Sequence, residues 1–327
     1  MNSMKSVLLL LACGLTACAS LPPVPARNVE PPSLGLPSAS SQSIERGHEL
    51  VPGTRGLLLF QQWWRPAGRA PRAVVVVVHG LKDHGSRYAE LAGRLVSRGF
   101  EVHALDLRGH AHSEGARVDV DSFDDYVTDL GAILQRVREQ VPGKPVFLLG
   151  HSMGGAIVTL FSLDHPSEVS GLITHAAALQ LGVGAAKAGS IKFLSALNPK
   201  AGLFQLDLED FSRDPEVVRA AKEDPLVYQP AAPVHTAREL IRAVDRIQTR
   251  MEELTVPVLI LHGTGDKVTP PEGSQALYRR AKSTDKTLKL YPELFHDLVH
   301  EPEKETVIND ITAWLEARAP GAPSATK

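Results

Sequence analysis

Cysteine is almost missing from this chain: it occurs twice in 327 residues, at Cys13 and Cys18. With processing at Cys18, the body that follows has neither a disulfide nor a free thiol and relies on its apolar core alone. A dominant charge is missing too. Lys and Arg total 35 against 37 Asp and Glu, a formal net charge of −2. No Lys/Arg-rich run interleaves with aromatics, and aromatics are only 5% of the chain, so neither nucleic acid nor another polyanion is implied as a partner. The apolar run at the N-terminus, Val7 through Leu15, is far too short to cross a bilayer as a helix. What remains is an ordinary globular composition, 43% hydrophobic and 22% charged, which supports a sizeable core without metal or disulfide. The length permits one or two domains.

The N-terminal segment reads as an export signal. Lys5 gives a basic start, the apolar run follows, and Leu15-Thr16-Ala17-Cys18 closes it. That closing tetrapeptide resembles the lipobox of bacterial lipoproteins, in which the cysteine becomes the lipidated first residue. The expectation is a signal peptide over 1–17 with lipid attachment at Cys18. Cys13, after Leu-Leu-Ala, would leave a very short apolar region, and an ordinary secretory signal with a chance cysteine is the alternative. Ala19 stands where an Asp would favour inner-membrane retention, so the resemblance implies anchoring to the outer membrane of the cell envelope. A tether rich in Pro, Ser and Ala extends to residue 44, and 320–327 form a loose tail.

Between these ends, residues 48–64 suggest a β-hairpin around Pro52-Gly53-Thr54. Ala73 to Val78 is apolar on both faces, as a buried parallel strand is. Helical and strand-like stretches then alternate: helix Arg87–Ser97, strand Phe100–Leu107, helix Phe123–Gln140, strand Pro145–Leu149, helix Met153–Leu163, strand Val169–His175. From about Leu181 the rhythm breaks, with Gly and Pro scattered among apolar residues and no clear strand. We expect an inserted cap of short helices over 181–237. The rhythm resumes with helix Ala237–Met251, strand Val256–Leu261, helix Gly273–Ala281, strand Thr287–Tyr291 and helix Lys304–Ala317. Such alternation predicts an α/β fold, a mostly parallel sheet with helices on both faces. The core is expected over 45–180 and 238–319.

Gly150-His151-Ser152-Met153-Gly154 matches the G-x-S-x-G nucleophile elbow, and it sits where that motif must, between a buried strand and a helix. The turn lifts the Ser152 hydroxyl off the sheet and places the Met153 N–H at a helix N-terminus, where positive potential favours an oxyanion. A serine needs a base. Of thirteen histidines, His296 follows a late strand and precedes the last helix, and His300, four residues on, is its rival. The pair at that spacing lacks the H-E-x-x-H context of a metal site, so no metal is expected. Asp266, just past a buried strand, is the orienting acid, with Asp106 and Asp297 as rivals. The order Ser152, Asp266, His296 is the order of this fold. His79-Gly80-Leu81 follows the first buried strand and can turn the Leu81 N–H inward as the second oxyanion donor. His79 itself, and Asp106 beside Arg108-Gly109-His110, read as structural.

Several stretches resemble one family. They are His79-Gly80-Leu81-Lys82-Asp83-His84, Asp106-Leu107-Arg108-Gly109-His110, Ser113-Glu114-Gly115, the elbow with Pro145 to Leu149 before it and Gly155 after it, Asp224-Pro225-Leu226-Val227, and Asp285 through Tyr291. From Val74 to Ala317 the chain is similar to the monoacylglycerol lipase and lysophospholipase branch of the α/β-hydrolases. The resemblance implies eight strands, a cap over the site, and hydrolysis of esters with one long acyl chain, with no cofactor. It carries Ser152, Asp266 and His296 as triad and Leu81 and Met153 as oxyanion donors. Two departures stand out: Ala111 replaces the second Gly of a Gly-His-Gly, and the chain carries an export signal. Cap residues Ile191 to Phe204 are either an acyl-chain wall and membrane-facing lip, or ordinary packing. A peptidase or amidase of the same fold, and an inactive surface-anchored binding module, are the rival functions.

Overall fold

A computed structural model describes residues 44–182 and 185–321, with the side chains of 185–188, 192, 203 and 204 excepted. The expected signal over 1–17, Cys18, the tether up to residue 43 and the last six residues of the tail lie outside the described residues.

The chain opens with the hairpin β1 (Ile44–Pro52) and β2 (Leu58–Pro66). It continues through β3 (Val74–Val78), α1 (Ala89–Ser97), β4 (Glu101–Leu105), α2 (Phe123–Gln140), β5 (Val146–His151), α3 (Met153–Asp164) and β6 (Gly171–His175). A separate stretch then contributes α4 (Ala185–Leu197), β7 (Gly202–Phe204), α5 (Pro215–Glu223) and β8 (Ala232–Pro233). Finally come α6 (Val234–Arg250), β9 (Val258–Gly263), α7 (Pro271–Arg280), β10 (Lys286–Tyr291) and α8 (Lys304–Glu316).

Eight strands form one sheet in the order β1-β2-β4-β3-β5-β6-β9-β10. β1 and β2 pair antiparallel, β2 meets β4 antiparallel, and every pair from β4 to β10 is parallel. The five valines of β3 show why this sheet has two apolar faces. Val74, Val76 and Val78 join one core with residues of α2, α3 and α6, while Val75 and Val77 join the other with residues of α1 and α8. Successive side chains on a strand point to opposite faces, so a strand covered on both must be apolar throughout.

The stretch between β6 and α6 departs from the expectation of helices alone. β7 and β8 pair antiparallel as a two-stranded ribbon apart from the main sheet. Strands of three and two residues are too short to show a period in the sequence. α4 packs against α6, which ties this segment to the body.

Register sets the site. Val78 is opposite Gly150, His151 opposite His175, His175 opposite Leu261, and Gly263 opposite Tyr291. The carboxyl ends of β3, β5, β6, β9 and β10 therefore reach one rim, where the loops that follow them meet.

Candidate active site

Ser152 occupies the bend between β5 and α3 at φ 53° and ψ −120°, outside the regions open to most side chains. The bend is pinned on both sides: the Ser152 N–H donates to the His175 carbonyl at 3.1 Å, and its own carbonyl accepts from Ala178 N–H at 2.9 Å. Small neighbours are required. A Cβ on Gly154 would stand 2.2 Å from the Val78 carbonyl oxygen and 2.4 Å from that of His79. A Cβ on Gly150 would stand 2.4 Å from the Gly154 carbonyl oxygen. The helix thus starts hard against the end of β3, which brings the residues after Val78 to Ser152.

Gly80 lies so close to Ser152 that a Cβ there would be 3.1 Å from the serine Cβ. Leu81 follows it, buried beside the elbow, and Lys82 turns the loop with φ 69°. Met153 is the first residue of α3, where backbone N–H groups have no acceptor within the helix. These two residues stand where the sequence asks for oxyanion donors. His79 is occupied structurally: its Nε2 accepts from Leu107 N–H at 2.9 Å, and Nδ1 lies 2.7 Å from the Gly80 carbonyl.

The loops after β9 and β10 bring Asp266 to His296. Thr264 N–H donates to the Tyr291 carbonyl at 2.9 Å and Gly265 N–H to that of Leu294 at 3.0 Å. His296 Nδ1 lies 2.7 Å from Asp266 Oδ2, with both side chains buried. A carboxylate only accepts, so Nδ1 carries the proton, and in the neutral ring Nε2 keeps a free lone pair. Nε2 is buried and has no hydrogen-bond partner, so the link to the Ser152 hydroxyl is open in this state. Such links commonly tighten only with substrate bound.

Asp266 is unusually well supplied with donors. Oδ1 accepts from Val268 N–H at 2.7 Å and Thr269 N–H at 2.9 Å, and Oδ2 has the Thr269 hydroxyl at 3.0 Å and His262 Nε2 at 3.1 Å. Burial pushes its carboxyl up, but His296 and the donors outweigh burial and hold it well below the usual carboxylate range. The Asp266 carboxylate therefore stays ionised opposite the His296 imidazole.

Around His296 the rings are neutral. His151 lies tilted against it at 4.6 Å between centroids, and His175 lies tilted against His151 at 4.5 Å. Burial first, then the neighbouring His296, lowers His151 to about 4. Burial and His151 hold His175 well below the ordinary imidazole value. Phe211, from the segment between β6 and α6, meets His296 edge to face at 5.1 Å.

The rivals stand elsewhere. Asp297 is 2.9 Å from Arg87 Nη2, and His300 Nε2 donates to the Arg87 carbonyl at 3.0 Å. Asp106 accepts from Gly85 N–H at 2.8 Å and His112 N–H at 3.1 Å. His262, Thr269 and Phe211 are absent from the sequence reading. His262 stands on β9, four residues before Asp266, and no sequence rule gives that spacing a role.

A cavity of about 210 Å³ opens beside the acid loop. Leu181, Ile191, Leu206, Leu240, Ile241 and Val268 give it apolar walls. Gln205, Asp207, Asp210 and Lys267 also line it, and Val268, one of its walls, donates its N–H to Asp266. Of the stretch expected as wall or lip, Ile191 faces this cavity, whereas Phe193, Leu194 and Leu197 are exposed on α4.

The sheet order, the elbow after β5 and the loops after β9 and β10 at one rim define an α/β-hydrolase. The chain belongs to the Hydrolase_4 family, described as "Serine aminopeptidase, S33", which it matches over residues 69–303. It is 36% identical over 275 residues to the monoacylglycerol lipase of Mycolicibacterium smegmatis, covering 84% of this chain and 98% of that one. The human monoglyceride lipase is 35% identical over 276 residues, covering 83% and 91%. Among solved structures, the monoacylglycerol lipase of Paleococcus ferrophilus superposes with a TM-score of 0.72 at 30% identity, covering 80% of this chain and 99% of that one. The chain is a carboxylic ester hydrolase of the serine type.

Proposed function

We propose that this enzyme hydrolyses monoacylglycerols and closely related single-chain esters, lysophospholipids included, through Ser152, His296 and Asp266. The carrying observation is the 2.7 Å contact of Asp266 with His296 Nδ1, which leaves Nε2 buried and bare at the rim where the elbow serine stands. His296 Nε2 takes the Ser152 proton as Oγ adds to the ester carbonyl. The N–H groups of Leu81 and Met153 receive the oxyanion. Collapse expels the alcohol, which leaves with the proton from Nε2, and Ser152 holds the acyl group. Water then gives a proton to Nε2 and adds to the acyl carbon; collapse breaks the acyl–Oγ bond, Ser152 Oγ takes the proton back from Nε2, and the acid leaves.

The acyl chain lies along the apolar cavity beside Val268, and Phe193, Leu194 and Leu197 on α4 face the lipid aggregate that supplies it. Relatives at 35% and 36% identity bear names of monoacylglycerol-type lipases, which favours an ester over the peptide bond suggested by the family description. The test is a panel of monoacylglycerols, lysophospholipids, triacylglycerols and aminoacyl amides. Monoacylglycerols should give the highest kcat/KM; preference for the amides would contradict the reading.

We also propose, from residues 1–18 alone, that a lipid on Cys18 holds the enzyme to the cell envelope. Cys18→Ser should then move it from the membrane fraction to the soluble fraction, and a variant that stays with the membrane would contradict the anchor.

A further inference from the structure

The acid of the proposed triad serves two imidazoles. Asp266 Oδ2 lies 2.7 Å from His296 Nδ1 and 3.1 Å from His262 Nε2. His262 stands on β9, fully buried, four residues before the acid. Its Nε2 also lies 3.0 Å from the Thr269 carbonyl, and its Nδ1 2.7 Å from the Ser274 hydroxyl on α7. Carboxylate and carbonyl only accept, so Nε2 must carry the proton. In the neutral ring Nδ1 then accepts from Ser274, and that hydroxyl fixes the tautomer.

We infer that His262 is a positioning residue for the hydrolytic reaction: it holds Asp266 at His296 and moderates the charge that Asp266 presents to the base. The inference rests on the triad reading above. A carboxylate that donates nothing is steered by the donors around it, and among the described residues His262 brings the one side-chain N–H beside it other than that of His296, shared with the Thr269 carbonyl at 3.0 Å. Each donor also draws charge from the oxygen it meets. Removing one leaves more charge for the imidazole opposite, so the base keeps its proton to higher pH.

The other groups near His296 leave this effect visible. His151 and His175, at the ends of β5 and β6, are neutral at neutral pH because burial lowers both. Asp297, next in the chain, is tied to Arg87 and lies 2.9 Å from His300 Nδ1. Lys267, beside the acid, lies 3.4 Å from Asp210, and Phe211 brings no charge. None of these groups is a hydrogen-bond partner of His262.

The experiment uses the full chain and a soluble p-nitrophenyl ester, with kcat and KM followed from about pH 5 to pH 9. His262→Phe removes both nitrogens, and His262→Gln keeps an N–H. In His262→Phe, kcat should fall roughly tenfold with KM nearly unchanged, and the acid limb of kcat/KM should move to higher pH. His262→Gln should recover most of both. An acid limb that stays in place in His262→Phe, or a Gln variant as impaired as the Phe variant, overturns the inference. Should His262→Phe show no cooperative melt, Ser274→Ala carries the test. It frees the ring to choose the wrong tautomer, so the limb should move the same way by less, and an unmoved limb overturns the inference. Wild-type protein that turns over no ester and takes no fluorophosphonate label overturns the triad and this inference with it. Active wild type with unmoved limbs overturns only the role of His262.

Discussion

Ser152 carries the strain of the site in its own backbone. A non-glycine residue at φ 53°, ψ −120° costs roughly 1–3 kcal/mol and persists only where its surroundings over-determine it. Here the His175 carbonyl, the Ala178 N–H and the close approach of Gly80 do so. This residue was legible in the sequence because its motif is local: five consecutive residues, a strand before and a helix after. The pairing of Asp266 with His296 was legible at longer range, from their order in the chain and their places after late strands. What spacing could not separate, side-chain partners do. His300 and Asp297 each have partners around Arg87, whereas His296 faces Asp266. His262 escaped notice because its part depends on a contact across a turn, and thirteen histidines offer no reason to pick it.

At the scale of elements, the alternation of strand and helix was readable because each core element is long enough to show its period. α2 spans Phe123–Gln140 as the apolar spacing predicts, and Ser122 caps it by accepting from Asp124 N–H. Starts were less clear. α6 begins at Val234 and α7 at Pro271, each ahead of the first residue that the pattern marks, because the first turn of a helix needs no apolar face. The β7–β8 ribbon was not legible at all. α4 shows a third limit. Its residues Phe193, Leu194 and Leu197 look like core by composition, yet they are 65%, 41% and 68% exposed. An apolar cluster left in water is a feature that composition cannot separate from packing, and it is what supports a cap that faces lipid.

Across the whole molecule, buried imidazoles set how stability responds to acid. Burial lowers His79, His110, His151 and His175, His110 to about 3 and His151 to about 4. A group lowered on folding contributes its full stability above its unfolded value, here about 6.5, and loses it as pH falls toward the folded value. Each unit of lowering corresponds to about 1.4 kcal/mol. His84 acts the other way: burial lowers it, but Asp224 and nearby carboxylates outweigh burial and raise it, so its contribution is complete below that pH and is lost as pH rises through its folded value. One raised group does not offset four lowered ones. Asp83, Asp106, Asp266 and Asp297 are all held low despite burial, and they add a second loss below about pH 4. The melting temperature should therefore drop steadily from pH 7 to about pH 5, before the carboxylates begin to titrate. A melting temperature that holds level or rises over that window would contradict the neutral burial of these rings.

All of these scales meet at one hydroxyl, which must be reactive if elbow, acid and base work as a unit. The most direct measurement is labelling of the purified protein with a fluorophosphonate probe, followed by peptide mapping, in wild type and Ser152→Ala. Covalent label on the peptide that holds Ser152 in the wild type, and none in the variant, is the predicted result. Label that persists in Ser152→Ala, or a folded wild type that takes none, would contradict the account.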